Sequence, residues 1–383
     1  MKYHYWLALL LAFALVNPAT SQDTGSPTPP PPSTTARAYI VQDFLTGEIL
    51  AENNADQRME PASITKLMSA YVAFKALAEG KIKFTDQALV SEKAWHTEGS
   101  RSFVQVNTKV PLEILFKGMI VQSGNDATVA IAEHTAGSEE SFVGLMNNYA
   151  QALGMKNSHF MNSTGLPNPQ HYSTAHDIAA LARAIIREFP EYYKMYSIKE
   201  FSYNGITQYN RNQLLWRDES VDGMKTGHTD SAGFCLVASA LRDEMRIVSV
   251  VLGTASDKLR ATESLELLNY GFRSFETHRL YTTEKPLSTV RVWKGESSSL
   301  NLGLNEALYI TVPRGQYKNL KATLEIGTAM TAPIKKGQQK GMVKINLGDK
   351  VLLERPLIAL EDIAEGSLWQ RMVDSVKLWY AQL

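Results

Sequence analysis

The sequence predicts an α+β domain with an antiparallel sheet and a helical insertion, followed by a small all-β domain and an amphipathic helix. Three observations predict this arrangement. Strand-like segments open the first domain, helical segments follow them, and further strands and a helix close it near residue 276. Segments with glycine-containing turns between them then alternate or run apolar to about residue 361. The chain ends in a segment whose apolar side chains repeat with helical spacing.

Composition limits the classes of function. The chain has 383 residues, enough for two or three domains, and 44% of them are hydrophobic. The 39 basic and 39 acidic residues cancel, which argues against a nucleic-acid-binding protein. The single cysteine, Cys235, allows no intrachain disulfide and is expected to be a small core residue. Because four histidines also lack metal-ligand spacing, we expect no metal and no other cofactor; they are His134, His159, His171 and His176.

The N-terminal segment predicts export. Residues 1–21 have the pattern of a secretory signal, with Lys2 as the positive start and an apolar core at residues 6–16. This core is shorter than the roughly 20 residues that a membrane span needs, although a retained N-terminal anchor is the alternative. Residues 22–36 are rich in Pro, Thr and Ser and predict an extended spacer. No later apolar run is long enough to predict a transmembrane helix.

The elements of the first domain, residues 37–276, follow from local patterns. Residues 38–42 and 48–52 have strand composition around a turn containing Gly47, which predicts a hairpin. A helix of about four turns is expected between Pro61 and Gly80. Helical periodicity predicts further helices at residues 111–121, 127–134, 141–153 and 174–188. Buried strands and a closing helix are predicted at residues 233–241, 246–252 and 256–272.

The C-terminal part is expected to form two further units. Strand patterns within the small all-β domain, residues 277–361, lie at 308–313, 320–326 and 342–347. Residues 362–383 contain the amphipathic helix, whose apolar face holds Trp369, Met372, Val373, Val376, Trp379, Tyr380 and Leu383. One interpretation is a helix docked on the β domain. The other, favoured by the terminal position and the aromatic residues, is an anchor in the membrane interface.

Ser63 and Lys66 begin the first long helix and suggest chemistry. Residues three apart share a helix face, so both side chains point the same way near the helix N-terminus. A serine hydroxyl needs a base to become a nucleophile, and a lysine whose pKa is lowered by burial can be that base. The motif alone is weak, because a buried helix with a capping serine and a snorkelling lysine has the same pattern.

Two further motifs strengthen this interpretation. Ser123-Gly124-Asn125 lies at the break between two predicted helices, and Lys225-Thr226-Gly227 leads into a buried strand. Together with the only Ser-x-x-Lys of the chain, they form the ordered triple of active-site serine enzymes that react with penicillin. Two decoys are rejected: Ser202-Tyr203-Asn204 lies among alternating aromatic residues, and Glu200-x-x-x-Asn204 is 77 residues beyond Ser123.

On these motifs the chain resembles the low-molecular-mass penicillin-binding proteins, specifically the D-alanyl-D-alanine carboxypeptidases. The resemblance covers nearly everything from Ala38 onward and includes Gly165-Leu-Pro, the stretch at residues 210–216 and the amphipathic tail. It implies a β-lactamase-like, penicillin-binding-protein-like fold for the first domain. It also implies that Ser63 attacks the carbonyl between the two terminal D-alanines of a peptidoglycan stem pentapeptide. Lys66 would take the proton, an acyl-enzyme would form, and water would release the shortened peptide.

The resemblance assigns roles to the other motif residues. Ser123 would relay a proton to the leaving amine, and Asn125 would hold the substrate amide. Lys225, Thr226 and Gly227 would bind the terminal carboxylate. The backbone N–H groups of the nucleophile and of His228 would form the oxyanion hole, whereas the His228 side chain is equally consistent with a rim contact. Arg260 would help to neutralise the carboxylate or, alternatively, form a surface salt bridge.

The implied setting is the periplasmic side of a bacterial inner membrane, with β-lactams as further ligands and the C-terminal helix as a peripheral anchor. Without a dedicated deacylating base, penicillin should remain as a slow acyl-enzyme. We expect Lys66 to lie buried between Ser63, Ser123 and Asn125, with a lowered pKa. The alternatives are a β-lactamase or D,D-endopeptidase on the same scaffold, and a catalytically silent wall-binding protein.

Overall fold

The structure is a computed structural model that describes residues 28–381 except 284 and 328. The predicted signal at residues 1–21, residues 22–27 of the predicted spacer and the last two residues of the tail lie outside the described residues. The described α-helices are α1 (Lys66–Ala78), α2 (Glu92–His96), α3 (Leu112–Lys117), α4 (Asn125–Ala136), α5 (Glu139–Ala152), α6 (Ala175–Glu188), α7 (Pro190–Tyr193), α8 (Leu214–Arg217), α9 (Asp257–Ser274) and α10 (Leu368–Ala381).

The described strands fall into an N-terminal and a C-terminal group. The first group is β1 (Ala38–Asp43), β2 (Ile49–Asn53), β3 (Gln87–Leu89), β4 (Lys109–Pro111), β5 (Glu200–Tyr203), β6 (Ile206–Tyr209), β7 (Val221–Thr229), β8 (Gly233–Arg242) and β9 (Met245–Thr254). The second group is β10 (Phe275–Tyr281), β11 (Ser288–Trp293), β12 (Ser299–Gly303), β13 (Leu308–Pro313), β14 (Leu320–Ile326), β15 (Met330–Thr331), β16 (Gln339–Leu347) and β17 (Lys350–Ala359).

An antiparallel sheet in the order β2-β1-β9-β8-β7 organises the N-terminal part. Successive residues of a strand face opposite sides of a sheet, and β1 follows this rule. Ala38 and Ile40 join the core beneath α1 and α6, whereas Tyr39 and Val41 join the core beneath α9. The predicted hairpin, buried strands and closing helix are therefore confirmed as a sheet with helices on both faces.

The helical insertion has the predicted elements, and α1 runs through its centre. Eleven of the thirteen residues of α1 are buried, and the helix packs against α4, α5 and α6. The first predicted turn differs in detail, because Ala62–Thr65 forms a tighter 3₁₀ turn before α1 begins at Lys66. Pro61 contributes no N–H there, and its carbonyl accepts from Ile64 N at 3.0 Å.

The described part of the predicted spacer, residues 28–36, lies along α9. Tyr270 Oη donates to the Pro29 carbonyl at 3.0 Å. The Thr35 N–H and hydroxyl both donate to Glu263 Oε1, at 3.0 and 2.7 Å. Both of these hydrogen-bond partners belong to α9, and no sequence pattern had linked the spacer to that helix.

The C-terminal part is an all-β unit, as predicted. One sheet has the order β14-β16-β17-β12-β11-β15, and β10 pairs with β13 beside it. α9 ends at Ser274 and β10 begins at Phe275, so the helix passes directly into the strand. Across this junction, Thr277 Oγ1 donates to the fully buried Asp43 at 2.7 Å, and the hydroxyls of Thr46 and Thr311 lie 2.6 Å apart.

The tail forms the predicted helix, α10, and its apolar side chains face outward. The most exposed large apolar residues of the described tail are Leu368, Trp369, Met372, Val376, Trp379 and Tyr380, at 55–82% exposure. The polar side of the helix is attached to the β unit, because the Lys294 N–H donates to Asp374 Oδ2 at 2.7 Å. Arg371 also pairs with Glu365 just before the helix. No described helix is long and apolar enough to cross a membrane.

Candidate active site

The turn at Ala62–Thr65 places Ser63 and Lys66 side by side. In a 3₁₀ turn, residues three apart lie almost directly above one another. Lys66 Nζ lies 2.9 Å from Ser63 Oγ. The lysine side chain is only 1% exposed, although Ser63 itself remains partly accessible from the cleft. The pair therefore has the separation that proton transfer between a hydroxyl and a base requires.

Two acceptor atoms complete the surroundings of the Lys66 amine. Asn125 Oδ1 and the Thr164 carbonyl oxygen each lie 2.7 Å from Nζ. Asn125 Nδ2 donates to the Glu98 carbonyl, so its oxygen has to face the lysine. Asn162 fixes the Thr164 carbonyl, because its Oδ1 accepts from the Gly165 N–H at 2.7 Å and from the Thr164 N–H at 3.2 Å.

The environment lowers the pKa of Lys66 from 10.5 to about 7. Burial is the largest cause, since it disfavours the charged amine, and the positive charge of Arg211 acts in the same direction. The carboxylate of Asp126 opposes them. A substantial fraction of Lys66 is therefore neutral at pH 7, as we expected from the sequence.

Ser123 lies beside this pair in a left-handed turn with φ 67°. Its side chain is 2% exposed and it lines the cleft. In the part of the chain that the structure describes, Ser123 Oγ has no hydrogen-bond partner. We expected Lys66 between Ser63, Ser123 and Asn125; the structure gives it hydrogen bonds to Ser63 and Asn125, and its third partner is the Thr164 carbonyl, which was not expected.

The third motif lies on β7, whose only described sheet neighbour is β8. Lys225 is 2% exposed, and its Nζ donates to the Thr226 carbonyl at 3.1 Å. Burial and the neighbouring positive charges, Lys66 first among them, hold the pKa of Lys225 well below its usual range. A Cβ at Gly227 would come within 3.0 Å of the Pro61 carbonyl, so the glycine allows the strand to approach the nucleophile turn.

His228 and Arg260 lie on the same wall of the cleft. The ring of His228 packs 4.0 Å from that of Phe234, between centroids, and remains exposed. Arg260 is 7% exposed and donates to the Gly227 carbonyl at 3.1 Å. It also forms an ion pair with Asp257, one helical turn away. Arg260 is therefore a buried, paired group within the cleft and not a surface salt bridge.

The motifs meet in one cleft of about 730 Å³. Sequence patterns had not singled out several of its lining residues, which are Gly99, Ser100, Tyr209, Arg211, Gln213 and Asp257. Arg211 and Gln213 belong to the stretch at residues 210–216, which contributed to the resemblance, but neither residue had an assigned role. The loop residues Gly99 and Ser100 carry no motif. They lie in the cleft because the Asn125 N–H donates to the Ser100 carbonyl at 2.6 Å.

The remaining candidates lie outside this constellation. Ser202 is exposed on the β5–β6 hairpin and shares a hydrogen bond with the Thr207 hydroxyl. Cys235 is buried in the core, and burial raises the pKa of its thiol to about 11. His171 is buried and bonds Thr65 Oγ1 at 2.8 Å. Among the described residues, no group of three or more His, Cys, Asp and Glu side chains is placed to hold a metal ion.

Sequence comparisons match both parts of the chain to known families. Residues 24–256 match the family described as D-alanyl-D-alanine carboxypeptidase, Peptidase_S11. Residues 275–365 match the C-terminal domain of penicillin-binding protein 5. D-alanyl-D-alanine carboxypeptidase DacC of Escherichia coli (strain K12) is 46% identical over 359 residues, which cover 92% of this chain and 90% of that protein.

Solved structures show the same likeness. Penicillin binding protein 5 from Haemophilus influenzae has a TM-score of 0.84 at 44% identity, covering 88% of this chain and 99% of that one. Penicillin binding protein 6B from Escherichia coli has a TM-score of 0.73 at 36% identity, covering 86% and 97%. With the serine, lysine and cleft described above, these matches show that the chain belongs to the D-alanyl-D-alanine carboxypeptidase family.

Proposed function

We propose that this chain removes the terminal D-alanine from peptidoglycan stem pentapeptides through an acyl-enzyme on Ser63. The observation that carries the proposal is the buried Lys66 amine, 2.9 Å from Ser63 Oγ and with a pKa of about 7. The chain belongs to a family of D-alanyl-D-alanine carboxypeptidases, and the cleft has the groups that this reaction needs. No metal or other cofactor takes part in the proposed steps.

The hydrogen bonds of Lys66 support its role as the base. A neutral amine has two N–H bonds and one lone pair. Asn125 Oδ1 and the Thr164 carbonyl only accept, so they take the two N–H bonds. In the neutral amine the lone pair is then left for Ser63, whose Oγ lies 2.9 Å away, so the amine can accept the hydroxyl proton. This arrangement favours transfer of the serine proton to the lysine as Ser63 Oγ attacks the substrate carbonyl.

Positive charge and an open strand edge suit the C-terminal end of a peptide. Lys225, Arg211 and Arg260 surround the cleft, and Thr226 adds a hydroxyl. These groups would bind the terminal carboxylate of the substrate. The free edge of β7 offers backbone groups that can pair with an extended peptide. The backbone N–H groups of Ser63 and His228 would stabilise the oxyanion.

Bond breaking needs a proton donor and then water. The C–N bond between the two D-alanines breaks, and Ser123, whose buried hydroxyl has no hydrogen-bond partner among the described residues, would pass the proton from Lys66 to the leaving amine. Asn125 would hold the substrate amide. Water then adds to the acyl-enzyme, and Ser63 leaves with a proton.

A β-lactam would acylate Ser63 by the same attack, and the ring-opened product would deacylate slowly. Loss of the fifth residue removes a donor for cross-links, so the activity would limit cross-linking during wall synthesis.

We propose that the protein is exported and held at the periplasmic face of the inner membrane by α10. Support comes from its exposed apolar side, which includes Trp369, Trp379 and Tyr380. The attachment of Asp374 to the Lys294 N–H leaves that side free. Helices with such a side bind in the interfacial region of a bilayer. Deleting residues 368–383 should abolish binding to phospholipid vesicles while D-alanine release continues; unchanged vesicle binding would exclude this anchor.

The activity is tested by measuring D-alanine released from a pentapeptide ending in D-Ala-D-Ala. We expect the full chain to release D-alanine and Ser63→Ala to release none. If the full chain releases no D-alanine from any such peptide, the proposal is refuted. Rapid turnover of penicillin would indicate a β-lactamase. Cleavage of cross-linked dimers but not pentapeptides would indicate a D,D-endopeptidase. Failure of fluorescent penicillin to label Ser63 would support a silent wall-binding protein.

A further inference from the structure

Asp126 follows the Ser-Gly-Asn motif directly and has no role in the proposed mechanism. Its side chain is 0% exposed, in the first turn of α4. Oδ1 accepts from the Ser102 N–H at 2.8 Å, and Oδ2 accepts from the Val104 N–H at 3.3 Å. The one cation paired with it among the described residues is Arg101, whose Nε lies 4.0 Å away. Burying a carboxylate with so loose an ion pair is costly, which suggests a use for its charge.

The backbone bonds of Asp126 hold the loop at residues 98–104 against the catalytic residues. This loop presents the Ser100 carbonyl to the Asn125 N–H and the Glu98 carbonyl to Asn125 Nδ2. Because the Glu98 carbonyl takes the amide nitrogen, Asn125 Oδ1 faces Lys66. The packing is close, since a Cβ at Gly124 would lie within 2 Å of Ser102 Oγ. Asp126 thus acts on Lys66 through the loop and Asn125.

Asp126 also acts on Lys66 through its charge. The cation that bears on the amine is Arg211, before α8, whereas Lys225 on β7 has its own pKa lowered by burial and by Lys66. The carboxylate that bears on it is Asp126, which favours the protonated amine. Glu139, on α5, accepts hydrogen bonds from the backbone N–H and the hydroxyl of Ser163 and has no bond to Lys66 among those described.

We propose that Asp126 is a positioning residue for this reaction: its carboxylate fixes the loop that orients Asn125 toward Lys66, and its buried negative charge favours the protonated amine. The proposal rests on the proposed role of Lys66 as the base. A group with only a structural role would change the rate or the stability. It would not move the pH at which the base becomes active.

The test is the pH dependence of kcat/KM for D-alanine release and of the acylation rate by fluorescent penicillin. Asp126→Asn keeps the shape and removes the charge. The acid limb, which reports the base of the free enzyme, should move to lower pH, because the neutral variant no longer favours the protonated amine. The plateau should fall about 10- to 100-fold, because the amide cannot accept from both loop N–H groups. Asp126→Ser provides a second neutral variant with the same expected direction.

Two variants serve as controls. Asp126→Glu retains the charge in a displaced position, so the acid limb should stay at the wild-type pH while the plateau falls. Asp177→Asn removes another buried carboxylate that accepts from the Asn157 N–H at 2.9 Å, and it should leave the acid limb unmoved. Thermal unfolding establishes that each variant is folded.

The outcomes separate this proposal from the proposed function. An acid limb at the wild-type pH in a folded neutral variant would overturn the role of the charge. An unchanged plateau in both neutral variants would overturn the role in positioning. Absence of both D-alanine release and acylation in the wild-type protein would refute the function itself.

Discussion

Lys66→Arg retains a positive charge beside Ser63 and removes the ability to accept a proton at neutral pH. With a pKa of about 7, roughly half of Lys66 is neutral at pH 7. An arginine has a pKa above about 12, so at most about one molecule in 10⁵ would carry a neutral side chain. The expected loss in acylation rate is therefore about 10⁵-fold, which corresponds to about 7 kcal/mol.

The geometry around Lys66 adds to this loss. The amine is 1% exposed and lies against three oxygen atoms, Ser63 Oγ, Asn125 Oδ1 and the Thr164 carbonyl, at 2.7–2.9 Å. A planar guanidinium is wider and cannot direct a lone pair at the serine. The wild-type acid limb of kcat/KM should lie near pH 7, and it should disappear in Lys66→Arg.

The assay is mass spectrometry of the penicilloyl adduct on Ser63, followed over time beside D-alanine release. Lys225→Arg is the matched control, since it makes the same change at another buried lysine of the cleft. It keeps a cation for the carboxylate, so acylation should persist within about 100-fold of wild type. A folded Lys66→Arg protein that acylates at more than about 1% of the wild-type rate would refute lysine as the base.

Two further predictions follow from the residues around the nucleophile turn. Gly165→Ala would place a methyl group 1.8 Å from the Ala62 carbonyl at φ +86°, so we expect at least about 3 kcal/mol of destabilisation and loss of acylation. Gly154→Ala, at φ +76° with open space, should cost about 1 kcal/mol and leave acylation unchanged; equal losses in the two variants would contradict the packing argument. Burial, and to a smaller extent the charge of His159, lowers the pKa of His171 from 6.5 to about 4, so the unfolded chain binds the extra proton between these values. The free energy of unfolding, measured with urea, should thus fall by about 3 kcal/mol as the pH is lowered from 6.5 to 4. The decrease should be smaller in His171→Asn. An equal decrease in wild type and variant would show that groups other than His171 cause it.

The sequence predicted the motif residues well because their chemistry depends on side chains. Ser63, Lys66 and Asn125 were expected together, and the structure brings them within hydrogen-bond distance. The Thr164 carbonyl was not predicted, since a backbone oxygen has no residue-specific signal. Asn162 gives a partial signal, because an asparagine at the start of Asn-Ser-Thr-Gly can close a turn by accepting backbone N–H groups two and three residues ahead.

Other differences between expectation and structure arise from long-range packing. Ser123 was expected beside Lys66 and lines the same cleft, but its hydroxyl has no hydrogen bond to the amine or to any other described residue. The loop residues Gly99 and Ser100 enter the cleft through bonds to Asn125, more than 20 residues away. Periodicity predicted α10 correctly but could not decide which way its apolar side would face, and that depends on the bond between Asp374 and the Lys294 N–H.

The direct passage from α9 into β10 has a mechanical consequence. Arg260 lies in the first turn of α9, an unbroken helix of eighteen residues that leads directly to the strand at Phe275. A hinge requires residues that absorb a change in backbone dihedral angles, and this junction has no residue between the helix and the strand. A force applied to the C-terminal unit would therefore reach the helix that carries Arg260. With α10 in a bilayer, as proposed, the cleft would lie at a fixed distance from the membrane surface. Only stem peptides at that distance would lose their terminal D-alanine.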